Sequence, residues 1–225
     1  MKLAIYGGSF NPVHSGHLAV ADEALSLGYD KLLFVPTFIS PHKQLSASVS
    51  PTSRLAMLEA AIKDNPKFEI EPCEIQRGGI SYTIDTVRFL KEKYRGAISG
   101  KIGLILGQEI AAEFGKWKSP DEVAGFCDII IATRLNMSGD SRRLAGIFSN
   151  KPRGDYVGGV DPSGQFMGID REQFKWDFVE LKNLVLPFSS TDVRNRIAQG
   201  KSWRYLVPAA VHDYIVSNKL YGCKE

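Results

Sequence analysis

The first apolar run, Leu3-Ala4-Ile5-Tyr6, is uninterrupted by charge and predicts a short strand buried on both faces. Behind it Leu18, Ala21, Ala24 and Leu25 recur at helical spacing, one stripe of a helix laid against a core. Gly28 stands where that helix would end. Lys31-Leu32-Leu33-Phe34-Val35, closed by Pro36, predicts a second strand. Residues 3–35 therefore form a βαβ unit, a right-handed crossover between parallel strands. The expected fold class is α/β, a Rossmann-like doubly wound parallel sheet.

The alternation continues. Ser50-Pro51 offers a capping hydroxyl and a first-turn proline to a helix with Leu55, Leu58, Ala61 and Ile62 on one face. Phe68-Glu69-Ile70 predicts a strand, Thr83 to Tyr94 a helix with Ile84, Val87 and Leu90 inward, and Ile102 to Leu106 a buried strand. Ser119-Pro120-Asp121-Glu122 repeats the capping device, and Asp128 to Thr133 supplies another strand. Residues 136–177 break the rhythm. There Asp161-Pro162-Ser163-Gly164 has type I turn chemistry between Tyr156-Val157 and Phe166-Met167, the mark of an insertion or hairpin inside a single 1–225 domain. A hairpin from Tyr156 to Ile169 would suit a contact in a homo-oligomer. Phe178 to Leu181 restores the strand pattern. A helix capped by Ser189 and Ser190 and running to Gly200 follows, and a C-terminal helix opens at Pro208 with Val211 and Ile215 inward.

Composition narrows the partners. With 44% hydrophobic and 24% charged residues among 225, the chain has material for a core. A net charge of only +3 gives no broad field for nucleic acid, so any phosphate binding must be local. Cys73, Cys127 and Cys223 are too scattered for a disulfide framework or a zinc knuckle. The Met1–Tyr6 start is too brief for a signal-peptide core and no stretch is long enough to span a bilayer, so a cytoplasmic protein is expected.

Candidate chemistry clusters early. Of four histidines, His14, His17 and His42 fall in the first fifth of the chain. Strand one runs into Gly7-Gly8-Ser9-Phe10-Asn11-Pro12-Val13-His14-Ser15-Gly16-His17-Leu18. Paired glycines allow a turn and a close approach to a ligand, while the orphan amides of a helix start suit phosphate. His14 and His17, one turn apart, would leave the same side of that helix. A second anion site is written in Phe188-Ser189-Ser190-Thr191-Asp192-Val193-Arg194, hydroxyls at a helix start with an arginine one turn in. No Ser-His-Asp or Cys-His pattern is evident, and a zinc centre built on the three histidines lacks a fourth ligand.

Together the HxGH turn and the Ser-Ser-Thr-x-x-Arg helix start resemble the nucleotidylyltransferase superfamily, and within it most nearly the bacterial nicotinate-nucleotide adenylyltransferases. The similarity extends to Ser40-Pro41-His42-Lys43, Arg54 with Met57, Glu74 and Arg77, Ser81-Tyr82-Thr83-Ile84-Asp85-Thr86, Gly107-Gln108-Glu109, Trp117 and Arg134. It covers residues 1 to about 134 and 178–221. The resemblance implies ATP as co-substrate with Mg2+ bridging its phosphates, and nicotinate mononucleotide as acceptor. It implies that Gly7, Gly8, Ser9, Phe10, His14, His17, Gly107, Glu109, Ser189, Ser190, Thr191 and Arg194 contact ATP. His14, His17, Lys43 and Arg194 would be catalytic, and Lys43, Tyr82, Thr86, Trp117 and Arg134 would hold the pyridine nucleotide. Two positions depart from the family pattern: Glu109 and Asn11 each stand where aspartate is usual. The alternatives are another phosphorylated acceptor, such as nicotinamide mononucleotide, or a non-catalytic nucleotide sensor of the same fold.

Overall fold

The computed structural model describes residues 1–39, 49–132, 174–184 and 186–224. His42, Lys43, Arg134 and the 156–169 hairpin lie outside them. Six strands, β1 (Leu3–Gly8), β2 (Lys31–Pro36), β3 (Phe68–Ile70), β4 (Ile102–Gly107), β5 (Cys127–Ala132) and β6 (Phe178–Leu181), form one sheet in the order β3-β2-β1-β4-β5-β6. Every pairing is parallel.

Alternation along these strands feeds two cores. Ala4, Leu32, Phe34, Ile105, Ile130 and Leu181 face one side, where α1 (Ser15–Leu25), α2 (Pro51–Ile62), α7 (Ser190–Ala198) and α8 (Ala209–Ser217) bury Ala21, Met57, Val193 and Val211. Leu3, Ile5, Leu33, Val35, Leu104 and Ile131 face the other. There α3 (Cys73–Arg77), α4 (Thr83–Lys93), α5 (Gln108–Ala112) and α6 (Pro120–Phe126) bury Cys73, Val87, Ala111 and Val123. Burial on both faces is why the inner strands read as near-continuous apolar runs, while the edge strands β3 and β6, less buried, carry Glu69 and Glu180. Gly103 has its own cause: a Cβ there would sit 2.4 Å from Tyr29 Cζ, so only glycine lets that ring lie on the sheet.

The order reverses between β1 and β4, so the chain leaves their carboxyl ends toward opposite faces and opens a crevice above them. Glycines at both ends, Gly7-Gly8 and Gly107, keep its floor low.

Several local expectations shift. Gly7 and Gly8 do not make the turn but finish β1, and the left-handed residue is Phe10, at φ 45°. The buried stripe of α2 is Arg54, Met57, Leu58 and Ile62, with Leu55 half-buried. Ser50 caps that helix through Ser53 N as expected, but Ser119 does not cap α6. Its own backbone is left-handed, at φ 53°. The five-residue helices α3 and α5 are shorter than two turns and left no periodic trace.

Candidate nucleotide site

The β1–α1 connection is built around a capping histidine. His14 is the N-cap of α1 with extended backbone, and its Nδ1 accepts from Gly16 N at 3.1 Å. In return His14 N donates to His17 Nδ1 at 3.2 Å. Each ring thus accepts through Nδ1, which leaves the proton of a neutral imidazole on Nε2. The rings lie 3.7 Å apart at 30°. The glycine between them is required, because a Cβ on Gly16 would meet His14 Cε1 and Nδ1 at 3.0 Å. Phe10 turns its ring under Gly8, where a Cβ would meet it at 3.1 Å, and against the His17 ring at 5.1 Å.

The second helix start docks onto the first. Ser189 caps α7, its Oγ accepting from Asp192 N and its N–H donating to Asp192 Oδ2. That leaves Ser190 to reach across the site, where its Oγ donates to Pro12 O at 2.9 Å. Arg194 Nη1 donates to Asn11 O at 2.7 Å while Nη2 donates to Thr191 Oγ1 at 3.0 Å. Phe188 lies 5.2 Å from the His14 ring, and Leu186 is the next neighbour of the Gly16 position. His14, His17, Ser190, Thr191 and Arg194 therefore stand together where the two helix starts meet, with the His14 ring buried in the junction. A guanidinium has more N–H donors than these two bonds use, so Arg194 can hold the loop and still donate to a ligand.

Two supports were not in the expected set. Arg54, 5% exposed, donates through Nη1 to Ser9 O at 2.8 Å, and burial pulls its pKa below the ordinary arginine value. Tyr221 donates its hydroxyl to Asn11 Oδ1 at 2.7 Å. A signal for Arg54 was present, a charge in register with Leu58 and Ile62 on the apolar stripe of α2; Tyr221 left none.

Across the crevice, Gly107 is the N-cap of α5 and Glu109 is exposed in its first turn. The start of α4 is tied to the end of β2, with Ser81 N donating to Ile39 O and Phe38 N to Ser81 Oγ. This carries Tyr82, the N-cap of α4, to the upper edge of the sheet, with Lys118 Nζ 4.7 Å above its ring. Trp117, next to Lys118, packs on Phe114 at 5.0 Å with its indole N–H buried and, among the described residues, without a hydrogen-bond partner. Thr86 is placed otherwise than expected. It is 2% exposed, its hydroxyl donates to Glu74 Oε1 at 2.6 Å and accepts from Arg77, and its amide bonds back to Tyr82 O. It braces α4 from inside and offers no free donor to a ligand.

Two helix starts that meet above the reversal point of a Rossmann-like parallel sheet make a candidate phosphate-binding site. The family model described as cytidylyltransferase-like matches residues 5–196. A "probable nicotinate-nucleotide adenylyltransferase" of Treponema pallidum is 40% identical over 222 residues, 98% of this chain and 99% of its own length. A relative of the same name from Borreliella afzelii is 35% identical over 98% of this chain and 97% of its own length. The chain belongs to the cytidylyltransferase-like family and, within it, to the nicotinate-nucleotide adenylyltransferases. The fold is shared with the nicotinic acid mononucleotide adenylyltransferase of Plasmodium falciparum complexed with APC, at TM-score 0.67 and 16% identity, covering 98% of this chain and 97% of that one. Among the described residues no helix is long and apolar enough to cross a membrane.

Proposed function

We propose that the protein transfers the adenylyl group of ATP to nicotinate mononucleotide, giving the deamido dinucleotide and pyrophosphate. The observation that carries this reading is the junction of the two helix starts through Ser190–Pro12 and Arg194–Asn11. It gathers imidazoles, hydroxyls, amides and a guanidinium at one junction, a donor set suited to phosphate. The relatives' names and the complex of the Plasmodium falciparum enzyme with NaAD support the acceptor.

The attacking group is the acceptor's own phosphate, whose second pKa near roughly 6 leaves it mostly dianionic at neutral pH, so no general base is needed. The protein's task is to align two polyanions and to stabilise charge as it moves to the departing pyrophosphate. His14 and His17 present Nε2–H donors to the triphosphate, and Arg194 and the α7 amides meet it from the other side. A magnesium ion accompanying ATP would draw negative charge off the phosphates, while the protein's own donors hold them. The acceptor's pyridine end, with its carboxylate, is assigned to Tyr82 and Trp117 beside the amides that open α4; Lys118 stands there too, its ammonium already paired with Asp85. Thr86 acts by holding that turn. Lys43 and Arg134 are retained as acceptor contacts on the family resemblance alone.

Turnover on nicotinate mononucleotide compared with nicotinamide mononucleotide tests the acceptor: a strong preference for the first is expected, and equal rates would reject the carboxylate assignment. Radiolabelled ATP alone is expected to leave no label on the protein. A trapped adenylyl-protein would overturn direct attack.

A further inference from the structure

Ser9 to Pro12 is four residues long and is gripped from three distant parts of the chain. Arg54 of α2 takes Ser9 O, Arg194 of α7 takes Asn11 O, Ser190 takes Pro12 O, and Tyr221 of the Leu220–Gly222 turn takes Asn11 Oδ1. The gripped segment carries a left-handed Phe10, and Tyr221 itself sits at φ 58°, ψ 20°. Left-handed backbone is unfavourable for a non-glycine residue, so each persists only where its surroundings enforce it. Among the described residues no carboxylate pairs with Arg54 or Arg194. Their charges meet neutral carbonyls, and Asn11 adds none. Two uncompensated guanidinium charges thus stand beneath the segment that leads into His14.

We propose that Arg54 and Tyr221 are positioning residues for adenylyl transfer, fixing Ser9–Pro12 in the geometry from which His14 and His17 reach the phosphates, with Arg54 also adding positive charge below them. The inference rests on the adenylyltransferase reading above. Neither side chain needs to touch substrate. Arg54 is 5% exposed and acts through a backbone carbonyl, and the Tyr221 hydroxyl is committed to Asn11. The effect is therefore on how well the donors match the reacting phosphate, which appears in turnover before it appears in ground-state binding.

The test uses the full chain and three variants, Tyr221→Phe, Arg54→Met and Arg54→Lys. Steady-state rates with ATP and nicotinate mononucleotide are measured well below each melting midpoint, and ATP affinity is measured separately by calorimetry. Tyr221→Phe removes one oxygen and is expected to lower kcat about three- to tenfold, with the KM for ATP held within about twofold. Arg54→Met is expected to lower kcat by about a hundredfold and to weaken ATP binding. Arg54→Lys is expected to recover the binding but only part of the turnover, since an ammonium keeps the charge and loses the planar fork. Wild-type kcat in Tyr221→Phe and Arg54→Lys, with any effect confined to the melting midpoint, would overturn the positioning role. Should Arg54→Met not fold, the other two decide. A wild-type chain that forms no dinucleotide would instead defeat the functional reading and this inference with it.

Discussion

Ser190 and Pro12, 178 residues apart, are joined by a 2.9 Å hydrogen bond from the Ser190 hydroxyl to the Pro12 carbonyl. Because Ser189 takes over the capping of α7, Ser190 is released to make this long-range bond, and the starts of α1 and α7 are joined at one place.

Arg194 reinforces that junction and still has donors to spare. Arg194→Ala is expected to lower kcat/KM by about 10²–10³-fold, the usual loss for a donor aimed at developing charge. Arg194→Lys should restore only part, because one ammonium cannot replace the fork that spans Asn11 O and Thr191 Oγ1. Steady-state kinetics decide, and a fully active lysine variant would sink the assignment.

The His17 Nδ1 is occupied by the His14 amide, and its Nε2 is the atom the proposed function assigns to phosphate. His17→Ala is expected to reduce kcat about 10²–10³-fold but ATP affinity only a few-fold. Equal losses in the two quantities, by kinetics and calorimetry, would assign it to simple binding.

Gly16→Ala separates stability from function. Alanine in a helix is favoured over glycine by about 1 kcal/mol, which offsets the crowding of a Cβ placed 3.0 Å from the His14 ring. Denaturation is expected to show stability within about 1 kcal/mol of wild type, with turnover at least about tenfold lower as His14 is displaced.

Gly103→Ala should do the reverse. Its Cβ would lie 2.4 Å from Tyr29 Cζ in the middle of β4 and force that ring off the sheet. A loss of about 1–3 kcal/mol in urea unfolding is expected, with kcat unchanged below the melting midpoint.

The protein is expected to lose stability in alkali. Burial pushes the Cys73 and Cys127 thiols up from 9.0 to about 12 and the Tyr29 hydroxyl up from 10.0 to about 12; Tyr221 is raised as well. Groups whose folded pKa is raised bind protons more tightly in the native state, so their contribution is complete below the unfolded values. It is lost as pH climbs from about 9 toward 12. Melting midpoints across that window should fall, and Cys127→Ala should flatten the decline; a flat profile in the wild type would refute it.

The sequence by itself determined the strands, because a segment buried on both faces must be apolar at every position. Leu3-Ala4-Ile5-Tyr6 and Ile102 to Leu106 therefore declared themselves without help. It also determined the cap of α7, where Ser189 satisfies an orphan amide within one turn, whereas the capping of α1 by His14 emerged only in the structure. Only tertiary structure decided what those caps do together. That Ser190 would meet Pro12, that Arg54 would hold Ser9, that Tyr221 would hold Asn11 and that the Thr86 hydroxyl would be consumed by Glu74 all depend on strand order and on how helices seat against the sheet. Contacts of that range are set by packing between faces, and local residue pattern carries no record of which faces will meet.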